Sequence, residues 1–124
     1  QMVREVLRVL EHPDYADLFG PDSLSEVPLS AVVNGIVVSG VVDRLLVRDD
    51  LVMVVDYKTG RQVPDGPHDV APAYLRQMGA YCASLAVIFP DRPVRGALLY
   101  SAGAKLIELD AEILAAHKPG FVAG

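Results

Sequence analysis

The sequence predicts an α/β domain in which an antiparallel strand meander, extended by later strands into a mixed sheet, is flanked by helices. Three observations predict it. Residues 26–58 are dense in β-branched residues and cut by two turn signals, residues 73–89 carry a helical apolar period, and two further apolar runs follow. With 124 residues the chain has room for one modest core, so residues 1–124 are expected to form a single domain. It opens on Gln1, and the sequence is read as the truncated carboxy-terminal fragment of a longer protein.

The elements follow in order. Val3, Val6, Leu7 and Leu10 keep helical spacing until Pro13, which predicts a short amphipathic helix. "PDYADLFGPDS" then reads as a connector anchored by Leu18 and Phe19. "EVPLSAVV", "IVVSGVVDRLLV" and "LVMVVDYK" read as three strands, divided by Asn34-Gly35, a type I′ hairpin signal, and by Asp49-Asp50. "TGRQVPDGPHDVAP" is rich in Gly and Pro and is expected to be an exposed loop. Tyr74, Leu75, Met78, Tyr81, Cys82, Leu85 and Phe89 fall on one helical arc, so that helix should pack on the sheet. "PVRGALLYS" and "KLIELD" complete the order as a hairpin turning at Ala102-Gly103.

Composition excludes several classes. A single cysteine, Cys82, permits no internal disulfide, and no Cys/His cluster suggests zinc. No apolar run reaches the roughly 18 residues that a membrane helix needs, so a soluble protein of a reducing cytoplasm, with no membrane partner, is expected. The formal charge of −5 would repel nucleic acid in bulk, so any binding of DNA must rest on a local site. His68 and His117 are expected to be solvated, and Cys82 to be core.

The chemistry lies in the strands. A two-residue turn at Asn34-Gly35 pairs Val33 with Ile36 and sets Glu26 opposite Asp43; one at Asp49-Asp50 pairs Arg48 with Leu51 and sets Asp43 opposite Asp56. Three carboxylates would then form a row across three strands, a repulsive arrangement that calls for a cation between them. Strand alternation places Lys58 on the Asp56 face and Tyr57 on the other. Oxygen ligands without Cys or His suit Mg²⁺ or Mn²⁺. Such an ion would polarise a phosphoryl oxygen while Lys58 serves the attacking water, which is the chemistry of phosphodiester hydrolysis. A single β-bulge would shift this register. The competing reading makes Asp56 and Lys58 a strand-end ion pair, and Asp43 and Glu26 surface charges.

With Asp43 in "GVVDRL", Asp56-Tyr57-Lys58 in "VVDYKTGR" and Gln77 and Tyr81 in "YLRQMGAY", the chain resembles the PD-(D/E)XK nuclease superfamily. Within it the chain is most similar to the RecB-like branch and the carboxy-terminal nuclease domain of AddA-type bacterial helicase-nucleases. The resemblance implies a restriction-endonuclease-like core and a metal-dependent DNA nuclease. It also implies exonuclease action on single strands in double-strand break repair, beside a helicase domain of the same parent chain and an AddB-type partner subunit, in the bacterial cytoplasm near the nucleoid. It implies that Asp43 and Asp56 hold the metal with the Tyr57 carbonyl, that Lys58 is the catalytic lysine, and that Gln77 and Tyr81 lean over the site. Glu26 is a supporting candidate, and Arg44, Arg61 and Arg76 are candidates for holding DNA phosphates. The family's further His or Glu on an upstream helix has no convincing match, since His12 ends the first helix rather than sitting inside it. Two rival readings remain: a catalytically inactive DNA-binding or subunit-docking module, and a phosphate hydrolase acting on small nucleotides.

Overall fold

The computed structural model describes residues 20–120. The first predicted helix, with His12, Leu18 and Phe19, lies outside the described residues. Within them, strands β1 (Ser23–Val33), β2 (Ile36–Arg48), β3 (Leu51–Lys58), β4 (Val94–Tyr100) and β5 (Lys105–Leu109) form one sheet in the order β1-β2-β3-β4-β5. Helix α1 (Pro72–Ile88) joins β3 to β4, and helix α2 (Ala111–Ala116) follows β5. Only the β3–β4 pairing is parallel, because the crossover through α1 reverses the chain before β4 begins. The mixed sheet with flanking helices is the predicted fold class.

Both hairpin registers follow from their turns. Val33 pairs with Ile36 around Asn34 and Gly35, which take φ values of +49° and +79° as a type I′ turn requires. Arg48 pairs with Leu51. The β4–β5 turn is a single 3₁₀ turn, Ser101–Gly103, with Ala104 left-handed behind it, and Tyr100 pairs with Lys105.

α1 opens on Pro72, whose missing N–H is no loss in a first turn, and its Leu75, Met78, Cys82 and Leu85 enter the core with Val52, Val54, Leu98 and Ile107. α2 was not foreseen: "KLIELD" was read as strand to its end. Asp110 instead caps the helix, accepting from the Ile113 N–H at 2.9 Å, so the strand stops one residue earlier. His117, expected to be solvated, is half-buried at the end of α2, with Nδ1 2.9 Å from the Ile113 carbonyl oxygen.

A smaller cluster, Leu46, Met53, Val55, Ala97 and Leu99, occupies the opposite sheet face. The two clusters expose a slip in β2. Val42 and Leu45 both belong to the core beneath α1, although alternation would put them on opposite faces. The register is unchanged on either side, with Val27 on Val42 and Ser25 on Arg44, so neither strand gains a residue on the other. Both strands turn over together at Glu26 and Asp43, the pair between them. Glu26 permits the turn by taking a left-handed φ of +52°, rare for a side chain of its size.

Candidate active site

The slip governs where the acids stand. Asp43 leaves the β1–β2 ladder and aims its carboxylate at the neighbouring strand, where Oδ2 accepts a hydrogen bond from the Tyr57 N–H at 2.8 Å. That bond continues the β2–β3 ladder past its last backbone pair, Arg44 with Val55. Asp43 thereby stands beside Asp56, as the turn-based register predicts, near enough for its carboxyl to act on that of Asp56.

Glu26 does not complete the row. Its left-handed backbone removes it from pairing with Asp43, and its side chain is exposed. The expected line of three carboxylates is a pair, because the conformation that turns Asp43 inward is the one that takes Glu26 out of the strand.

Asp56 ends the apolar run of β3 and is 6% exposed. Lys58, two residues on and on the same face, places Nζ 2.7 Å from Asp56 Oδ2. The ammonium is held from two further sides: it donates to Gln77 Oε1 at 2.9 Å and lies 3.9 Å from the centre of the Tyr74 ring. Gln77 in turn donates to the Tyr81 hydroxyl at 3.5 Å. Tyr74, Gln77 and Tyr81 share one face of α1 through their helical spacing. Gly40 on β2 lets this face approach, since a Cβ there would meet the Tyr81 hydroxyl at 2.8 Å.

Electrostatics mark the carboxylate pair as a site short of positive charge. Burial and the hydrogen bond to Asp43 raise the Asp56 carboxyl from an ordinary 3.8 to about 6, against the pull of Lys58. The ionised form of Asp56 is therefore less favoured than that of an ordinary carboxyl despite the lysine beside it, and a hard dication at this carboxylate would favour it. Among the described residues no group of three or more His, Cys, Asp or Glu side chains converges on one point. The donor set is two carboxylates, oxygen donors of the kind that fit an oxygen-seeking divalent ion completing its shell with water or phosphate oxygens.

The three arginines are placed differently. Arg44 lies on the far face of the sheet: Nε donates to the Tyr57 hydroxyl at 3.1 Å and a terminal nitrogen to Ser23 Oγ at 3.4 Å. It cannot reach a phosphate at the acids from there, because Arg44 and its partner Val55 share the face away from Asp56. Arg61, in the loop after β3, and Arg76, on α1, are exposed. Reading the sequence as an apolar arc placed Tyr74 in the core, whereas it stands 37% exposed over the lysine. Its spacing from Gln77 and Tyr81 was the available signal. Cys82 is buried, and burial pushes its thiol up to about 12, so it is packing rather than a nucleophile.

A mixed sheet whose central strand ends in an acid and a lysine, faced by a second acid from the neighbouring strand, defines a restriction-endonuclease-like nuclease core. The family model of the PD-(D/E)XK nuclease superfamily matches residues 1–119, and the chain belongs to that superfamily. Members of that superfamily are nucleases, and they generally use divalent metal ions. Among solved structures, the crystal structure of SSO0001 shares the fold, with a TM-score of 0.51 at 18% identity. The match covers 90% of this chain and 61% of that one, so the chain spans about three-fifths of its length. No curated protein matches the chain.

Proposed function

We propose that this chain carries the nuclease centre of a RecB-like, AddA-type helicase-nuclease, hydrolysing DNA phosphodiesters with Mg²⁺ or Mn²⁺. The observation that carries the reading is the convergence of Asp43, Asp56, Lys58 and Gln77 at one end of the central strand. Asp43 and Asp56 would hold the ion, with the Tyr57 carbonyl as a further oxygen. The ion supplies Lewis-acid polarisation of the scissile phosphate and neutralises its charge.

The chain's own residues do the remainder. Lys58, fixed by Asp56, Gln77 and Tyr74, presents a positive N–H donor set where negative charge builds on the phosphate and where water must be oriented. Gln77 restricts the lysine to that position, and Tyr81 steadies Gln77. Arg61 and Arg76, both exposed, are the side chains this reading assigns to phosphate contacts. Exonuclease action on single strands unwound by a helicase domain, with an AddB-type partner subunit in a bacterial cytoplasm, is the setting that the resemblance supports.

The test is cleavage of single-stranded DNA by the full-length protein with Mg²⁺ or Mn²⁺, then with EDTA, beside Lys58→Ala. Cleavage that needs the metal and is lost in the variant supports the reading. If the protein binds DNA and neither metal nor the substitution changes anything, the acids and lysine are structural. An inactive DNA-binding or docking module, favoured by the presence of only two converging acids among the described residues, then replaces the nuclease.

A further inference from the structure

Arg44 follows Asp43 in the chain and stands on the far face of the sheet, where its bonds have a direction. Nε donates to the Tyr57 hydroxyl at 3.1 Å and a terminal nitrogen to Ser23 Oγ at 3.4 Å, so the guanidinium reaches from β1 across β2 to β3. A guanidinium donates along fixed directions in one plane, which makes it a strut where a lysine would be a tether. Tyr57, at the β3 end of that strut, packs half-buried against the cluster of Leu46, Met53 and Val55.

Tyr57 is gripped twice by consecutive residues of β2. The Asp43 carboxylate takes its backbone N–H at 2.8 Å, and the Arg44 guanidinium takes its side-chain hydroxyl. Tyr57 lies between Asp56 and Lys58, so rotating it about the strand axis would swing both of their side chains. The β2 side is where the strand needs holding. β4 pairs with β3 as far as Lys58, whereas backbone pairing with β2 ends at Arg44 and Val55. Past that point the space between the strands is bridged by side chains, with the bonds of Asp43 and Arg44 to Tyr57 among them.

We propose that Arg44 and the Tyr57 hydroxyl are positioning groups for the metal: from the far face they hold the end of β3 against β2 and so keep the Asp43 carboxylate beside Asp56, where the two can share an ion. The proposal rests on the reading of the two acids as a metal site and deepens it. Asp43 Oδ2 is committed to the Tyr57 N–H, and that bond orients the carboxylate only while Tyr57 stays in place. Charge alone argues for the opposite effect. If Arg44 acted through its field, removing a cation near the site should tighten the binding of a dication, whereas removing a strut should weaken it.

The experiment measures Mn²⁺ binding to the full-length protein by calorimetry, without nucleotide or DNA, and the heat missing in Asp56→Asn marks this site. Tyr57→Phe removes one oxygen atom and keeps the backbone carbonyl. It should raise the Kd for Mn²⁺ by roughly 10–100-fold, the usual cost of losing a group that orients a metal ligand. Arg44→Met, which keeps much of the apolar stem, should do the same. The double variant should bind no more weakly than the weaker single variant, because both changes remove one bond. Saturating Mn²⁺ should bring kcat for single-strand cleavage by Tyr57→Phe back to near the wild-type value, a recovery that a general loss of packing would not show.

Unchanged or tighter Mn²⁺ binding in Tyr57→Phe overturns the proposal even where its melting temperature in EDTA falls, and makes the bond a packing contact of the far face. Should Arg44→Met fail to fold, Tyr57→Phe decides alone. An Arg44→Met that raises KM for DNA while its Mn²⁺ affinity is intact also overturns the proposal and gives the arginine to the substrate. If the wild type shows no Mn²⁺ heat that depends on Asp56, the metal site falls together with the proposal.

Discussion

Replacing Asp56 by asparagine should stabilise the metal-free fold at neutral pH while removing its capacity for metal. The structure raises this carboxyl from 3.8 to about 6, burial being the largest cause and the hydrogen bond to Asp43 the next. The folded state thus prefers the protonated acid more strongly than the unfolded chain does, and the associated stability is complete below pH 3.8. It is lost as pH rises through about 6. At 1.36 kcal/mol per pH unit the gap between the two values corresponds to about 3 kcal/mol. The attraction of Lys58 is already contained in that figure, because it acts on the same carboxyl in the opposite sense. Asparagine reproduces the neutral acid in shape and cannot ionise. Urea unfolding in EDTA should therefore find the two proteins nearly equal at about pH 4 and the variant more stable by about 3 kcal/mol at about pH 8, a midpoint shift of roughly 1–2 M. Adding Mg²⁺ or Mn²⁺ at about pH 8 should stabilise the wild type alone. A variant that is less stable than wild type at about pH 8, or a difference that does not change with pH, would refute the reasoning. It would show Asp56 to be one half of a stabilising ion pair.

Four further outcomes are expected. Lys58→Ala should lower kcat for single-strand cleavage by about 10²–10³-fold, as loss of a charge-stabilising donor does elsewhere, with metal affinity measured by calorimetry little changed. Gln77→Ala, which frees the lysine on one side, should lower kcat by roughly tenfold with KM nearly constant, the signature of lost positioning rather than lost binding. Gly40→Ala should destabilise the fold by about 1–3 kcal/mol, since its Cβ would overlap the Tyr81 hydroxyl, and Tyr81→Phe should recover part of the melting temperature. Glu26→Gly should raise stability by about 1 kcal/mol in denaturant unfolding, because glycine takes the left-handed φ of +52° without the side-chain penalty.

How far the sequence disclosed this arrangement depends on which signals were local. Asn34-Gly35 dictates a two-residue turn, and counting outward from it reaches Ser25 on Arg44 without error. Counting from Asp49-Asp50 likewise brings Asp43 beside Asp56. What counting could not reveal is that both strands roll over at Glu26 and Asp43. A left-handed glutamate has no signature in composition, since it is imposed by packing on both sides of the sheet. The same roll sends Arg44 to the far face, so the basic residue nearest the acids in sequence is not near them in space. Helix α2 was legible in part, for Asp110 before "AEILAA" is a capping signal that the apolar run "KLIEL" masked.

The departures from local rules share a location, and that carries the argument beyond motif matching. A glutamate with positive φ, a strand that exchanges its faces, a carboxyl raised to about 6 and a buried hydroxyl without a partner are each unfavourable for folding. They follow one another across β1, β2, β3 and β4 toward a single end of the sheet. A structural ion pair would explain Asp56 with Lys58 and none of the others. A site built to hold a dication accounts for the first three together: the roll delivers Asp43, and an ion would relieve Asp56. On that account metal and single-stranded DNA added together should stabilise the protein by more than the sum of their separate effects. Strict additivity, read from thermal unfolding under conditions too brief for cleavage, would show that the DNA binds away from the acids.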